Sequence, residues 1–158
     1  MHRQRIYIDT SVIGGCFDEE FAEWSNLLFE EFFSGRKIAV ISDVTSSELI
    51  DAPEYVKNKI NEIPESNIIH LNSTDEIKEL TKKYLEFKAV SSKYIDDATH
   101  IAIATVNKVD ILVSWNFKHI VNYKRISMYN SVNLHQGYTL IEIRTPREVI
   151  DDETEEDF

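Results

Sequence analysis

The chain has 158 residues, 42% of them hydrophobic and 11% aromatic, and a formal net charge of −11, which suits one domain of ordinary size with a real core. No apolar run approaches the roughly 20 residues of a membrane span, and Met1-His2-Arg3-Gln4 opens onto strand-like sequence rather than a signal-peptide core. The lone Cys16 excludes an internal disulfide and a paired-cysteine zinc site, and the acidic balance argues against a broad basic face, so the expectation is a soluble, cytoplasmic protein with no membrane association.

Arg5-Ile6-Tyr7-Ile8-Asp9 reads as a first strand that stops on a carboxylate, followed by Thr10, Ser11 and a free turn at Gly14-Gly15. Phe21, Trp24, Leu28 and Phe32 then recur at helical spacing, and Ser34-Gly35 ends that helix. The aromatic stripe is core packing of a helix on a sheet. Lys37 to Ser42 is a nearly continuous apolar run, as in a buried parallel strand.

Thr45-x-x-Glu48 fits a capping box that opens a helix, Pro53 starts a second helical piece from Glu54 to Ile63, and Pro64 closes it. Asn67 to Leu71 is a third strand. Ser73 or Thr74 caps a helix from Asp75 to about Phe87, whose outer face carries Lys78, Lys82, Lys83 and Lys88. A small-residue helix spans Tyr94 to Val106, a fourth strand Val109 to Asn116, a helical turn Phe117 to Ile120, a helix Arg125 to about Leu134, and a last strand Tyr138 to Ile143. Residues 1–146 form the expected domain. Residues 147–158 read as an acidic, disordered tail: the seven acids from Glu148 onward leave residues 1–147 with 21 acids against 17 bases, a net of −4.

Strands alternating with helices imply an α/β fold, a three-layer α/β/α sandwich around a mainly parallel sheet of four to five strands. Right-handed crossovers bring strand C-termini and helix N-terminal turns to one edge of such a sheet. Asp9 and Asn116 end strands, while Glu48 and the Asp96-Asp97 pair belong to first turns, so all converge there. Two carboxylates about 4 Å apart repel by roughly 4 kcal/mol at an effective dielectric of 20, a cost that a cation relieves. Oxygen ligands without His or Cys nearby in sequence select Mg²⁺ or Mn²⁺ over zinc.

The ordered set Ile6-Tyr7-Ile8-Asp9-Thr10-Ser11-Val12, Ser47-Glu48-Leu49, Asp97-Ala98-Thr99-His100-Ile101-Ala102-Ile103-Ala104 and Asp110-Ile111-Leu112-Val113-Ser114-Trp115-Asn116 resembles the PIN-domain family of metal-dependent ribonucleases, which includes toxins of type II toxin–antitoxin pairs. The resemblance spans about Arg5 to Ile143. It implies Mg²⁺- or Mn²⁺-dependent endonucleolytic cleavage of RNA, an antitoxin partner and a homodimer. The family's acids fall on Asp9, Glu48 and Asp97, with Asn116 where the fourth acid usually stands. Asp9 and Asp97 then hold the metal, Glu48 joins them through water or acts as base, and Asp96 is a neighbour turned about 100° away. Thr10, Ser11 and Ser114 are expected to hydrogen-bond a carboxylate or phosphate, and Trp115 to stack a base.

The uncharged Asn116 leaves a second expectation, a weakened PIN-like module that binds RNA or a protein partner without cutting. A phosphohydrolase is disfavoured because Asp9-Thr10-Ser11 lacks the second Asp of a DxD nucleophile. Four glycines leave no phosphate-cradling Gly-rich loop.

Overall fold

A computed structural model describes residues 2–151. The elements, in chain order, are β1 (Arg5–Ile8), α1 (Thr10–Gly15), α2 (Ala22–Ser34), β2 (Ile38–Ser42), α3 (Asp43–Glu48), α4 (Glu54–Asn61), β3 (Ile68–Leu71), α5 (Asp75–Glu86), α6 (Ile95–Val106), β4 (Ile111–Val113), α7 (Tyr123–His135), β5 (Ile143–Arg144) and α8 (Pro146–Val149). The sheet order is β3-β2-β1-β4-β5 and every pairing is parallel. Strand order therefore reverses at β1, the kind of position where α/β sheets open a crevice at their C-terminal edge.

Alternation along the strands builds the two cores. Tyr7, Val40 and Leu112 point to one face and pack with Ile77, Leu80 and Tyr84 of α5, Ile101 of α6 and Tyr129 of α7. Ile6, Ile8, Ala39, Ile41 and Val113 point to the other, against Val12 and Ile13 of α1, Leu28, Phe29 and Phe32 of α2, and Val56 and Ile60 of α4. Helices on both faces give the three-layer sandwich with a five-stranded parallel sheet.

Several local readings shift. Gly14 and Gly15 lie in the last turn of α1 rather than in an open turn, because the chain turns into helix directly after β1. The capping box of α3 is one turn earlier than expected: Ser42 is the N-cap and Thr45 its reciprocal partner, which leaves Glu48 as the last helical residue and not a first-turn acid. The fourth strand is cut to Ile111–Val113. The last strand is Ile143–Arg144, sharing only Ile143 with the expected Tyr138–Ile143, since only those two residues have a β4 partner. Residues 117–120 form turns without a helix. Gly35 ends α2 at φ +82°, a left-handed conformation suited to glycine.

Regular structure continues after β5. Thr145 and Glu148 make a capping box for α8, which packs on α2. The Asp151 carboxylate takes the Lys37 ammonium at 2.9 Å, and its N–H donates to Glu31 Oε1 at 3.0 Å. Lys37 and Glu31, both buried, pair with each other as well. Of the tail expected over residues 147–158, residues 152–158 lie outside the described residues.

Candidate active site

Asp9 sits where β1 ends and α1 begins, and its side chain does not cap the helix. It is only 5% exposed. Both of its oxygens accept hydroxyl hydrogen bonds, Oδ1 from Ser11 at 2.6 Å and Oδ2 from Ser114 at 2.8 Å. Those hydroxyls in turn accept backbone N–H bonds from Trp115 and Asn116, each at 2.9 Å. The ends of β1 and β4 are thus knotted around one carboxylate, and both serine protons are committed to it. Burial pushes the Asp9 carboxyl above its ordinary range, and the nearby Glu48 adds to this, while His100 and the two serines pull the other way.

Asp97, in the first turn of α6, is half-buried and its carboxyl is pushed up to about 6, first by burial and next by the negative charge of Asp9. Asp96 is exposed. With Glu48, Asp43, Val44 and Ser47 it lines a small cavity of about 220 Å³ at the rim of the cluster. Asn116 Oδ1 accepts from the N–H groups of Lys118 and His119 at 3.2 and 3.0 Å, closing the turn after β4. Its oxygen being committed to those two amides, the group that Asn116 turns to Asp97 Oδ2, at 3.4 Å, is a donor nitrogen.

Glu48 receives a hydrogen bond from His100 Nε2. His100 is buried, and its Nδ1 meets the Tyr7 hydroxyl at 2.6 Å, which also meets Ser42 Oγ at 2.7 Å. Burial opposes a charge on this imidazole, yet the Glu48 hydrogen bond and the carboxylates of Asp9, Glu48 and Asp97 outweigh it and hold its pKa above the ordinary value. Neither His100 nor Tyr7 stood out from the sequence. The signal was periodicity: His100 follows Asp97 by three residues and shares its helix face, while Tyr7 alternates with Ile6 and Ile8 and so faces α6.

Trp115 is nearly buried, with its indole N–H on Ser25 Oγ at 2.8 Å and its ring stacked on Phe21 at 4.3 Å between centroids. It packs the core beside the site and its ring face is covered. Thr10 Oγ1 is buried without a hydrogen-bond partner.

As arranged, no three acidic, His or Cys side chains among the described residues stand close enough to hold a metal ion together. The donor chemistry still fits a hard divalent cation. The negative charges of Asp9 and Glu48 push up the Asp97 carboxyl and that of Glu48 pushes up Asp9, the one imidazole among them is turned to Glu48, and an unpartnered hydroxyl lies next to Asp9 in the chain.

No family model and no curated protein sequence matches this chain. Among solved structures, its fold is similar to the crystal structure of VapBC2 from Rickettsia felis bound to a DNA fragment from their promoter, with a TM-score of 0.53 and 15% sequence identity, over 89% of this chain and 98% of that one. At that identity the likeness is one of fold.

Proposed function

We propose that the chain is a metal-dependent endoribonuclease of the PIN type that hydrolyses RNA phosphodiester bonds and acts as the toxin of a toxin–antitoxin pair. The observation that supports this reading is that Asp9, Glu48 and Asp97, each set by a different element, lie near enough at the C-terminal edge of a parallel sheet for Asp9 and Glu48 to push up the Asp97 carboxyl. The fold likeness to VapBC2, a complex bound to promoter DNA, supports the toxin role and an antitoxin partner. Asp9 and Asp97 would hold Mg²⁺ or Mn²⁺, with Glu48 joining them through water or acting as base, and the ion would supply Lewis-acid activation of water and neutralise charge on the phosphate.

The chain's own residues supply position. The Ser11 and Ser114 hydroxyls fix the rotamer of Asp9, and His100 engages one oxygen of Glu48, leaving the other to take a proton from the attacking water. Tyr7 holds the far nitrogen of His100, so the ring cannot rotate away from Glu48. Asp9→Asn keeps the buried site filled and removes its charge. It is expected to lower metal-dependent RNA cleavage by at least about a hundredfold while melting within a few degrees of the wild type. Full residual cleavage in that variant would sink the assignment.

The Asn116 amide favours a second reading, a PIN-like module that binds RNA or a partner without cutting, because it brings no charge to the cluster. Isothermal titration with Mn²⁺ separates the two: no binding at millimolar metal, with the fold intact, supports the non-catalytic module.

A further inference from the structure

Although the chain is strongly acidic, it holds no Asp or Glu from Phe87 to Ile95 or from Ile111 to Ile141. The fold brings these two segments together. The Tyr94 ring stacks on His119 at 3.6 Å between centroids, and Arg125 Nη1 donates to the Ala89 carbonyl at 2.7 Å. The joint surface displays Lys93, Lys118 and Lys124 exposed and Arg125 half-buried. Among the described residues none of these four lies within 4.0 Å of a carboxylate, whereas Lys57, Lys59, Lys82 and Lys83 each pair with an acid one helical turn away. The local potential is positive: burial, then Lys118, Arg125 and Lys93, depress the proton affinity of His119.

Unpaired cations gathered on one surface repel one another, so a polyanion binds there with a gain that a self-paired helix face does not offer. Exposed aromatic residues adjoin the lysines in the chain, Phe117 next to Lys118 at 51% and Tyr123 next to Lys124 at 89% exposure, the inner side of the Phe117 ring tilted towards Phe21 and Trp115 at 6.2 Å. His119 Nδ1 is buried beneath the patch without a partner. The patch also adjoins the acidic cluster, since Phe117 follows Asn116 and Tyr94 lies three residues before Asp97.

We propose that residues 93–94 and 117–125 form a shelf that receives single-stranded RNA beside the acidic cluster, with Lys93, Lys118 and Lys124 on its phosphates and Phe117 and Tyr123 under its bases. The proposal rests on the ribonuclease reading for the identity of the strand, and its test is independent of cleavage. Binding of a fluorescently labelled mixed-sequence oligoribonucleotide to the full chain is measured by anisotropy in EDTA over a series of salt concentrations. Each phosphate contact on a single strand contributes about 0.7 to the slope of log affinity against log salt. Lys93→Ala/Lys118→Ala/Lys124→Ala is therefore expected to flatten the slope by about two. Phe117→Ala is expected to weaken binding about five- to a hundredfold with the slope unchanged. Lys82→Ala/Lys83→Ala, on the paired face of α5, is expected to bind as the wild type does.

An unchanged slope in the triple variant overturns the shelf. So does polyglutamate of matched length binding as tightly as the RNA, which reassigns the surface to an acidic protein segment. Lysine-dependent binding by a chain that never cleaves counts against the ribonuclease and leaves the shelf standing. Cleavage at an unchanged KM in the triple variant does the reverse.

Discussion

Asp97 gives the site a pH dependence whose sign follows from its surroundings. Its folded-state pKa is raised from 3.8 to about 6. The stability that it contributes is therefore fully present below about pH 4 and lost as pH rises through about 6, because the unfolded chain releases the proton first. In EDTA, the melting temperature of the wild type relative to Asp97→Asn should fall between pH 4.5 and 7, as thermal unfolding followed by circular dichroism would register; a constant difference would contradict the raised pKa. Asn116→Asp tests the opposite corner. The acid keeps one oxygen on the Lys118 and His119 amides and turns the other to Asp97, replacing a hydrogen bond by repulsion. Calorimetric titration should show Mn²⁺ affinity at least about tenfold higher, and the metal-free protein should melt lower.

The two adjacent glycines of α1 differ in what surrounds them. A Cβ on Gly15 would meet Ser25 Oγ at 2.7 Å and Trp115 Nε1 at 2.8 Å, and the Trp115 ring, clamped on Phe21, cannot retreat. A Cβ on Gly14 meets nothing within 4 Å. Gly15→Ala should cost about 1–3 kcal/mol by overpacking, and Gly14→Ala should stabilise by about 0.5–1 kcal/mol through helix propensity. Chemical denaturation of both variants checks the opposite signs. The existence of these elements could be read from the chain because apolar spacing and cap residues are local signals. Their exact ends, and the partners of the site residues, could not. Thr45 and Glu48 match a capping box as well as Ser42 and Thr45 do, and only β2 ending at Ser42 decides between them. Likewise Trp115 next to Asn116 looks available for stacking until Phe21, far back in the chain, is folded over it.

Across the molecule, alternation of strands and helices announces a parallel sheet, but not the strand order, which depends on which crossovers pass over which face. The acids that end strands or open helices could still be assigned to one edge, and the structure brings Asp9, Asp97 and Asn116 together there. His100 escaped notice because its partners, Tyr7 and Glu48, are remote in sequence. The opposite edge of the sheet, where β2 begins, depends on a buried pair: Glu31 joins Lys37, and both hold Asp151. Removing one charge of a buried pair costs about 3–5 kcal/mol, and Asp151 remains as a second partner for Lys37. Glu31→Gln is thus expected at about the lower end of that range, with its urea midpoint displaced accordingly; an unchanged midpoint would show that Asp151 alone neutralises Lys37.

β1 is the first strand made and one of the last to be completed. Its pairing with Ile38–Val40 becomes possible early in synthesis, but its other side waits for Ile111–Val113. Long-range parallel pairing of this kind forms slowly, after the intervening chain has closed its loops. Ser114, the second hydroxyl on Asp9, and His100, which holds Glu48, are both supplied by that late half. A nascent chain still on the ribosome therefore carries Asp9 held by Ser11 alone and Glu48 without His100, so assembly of the acidic cluster coincides with the final closure of the sheet rather than preceding it.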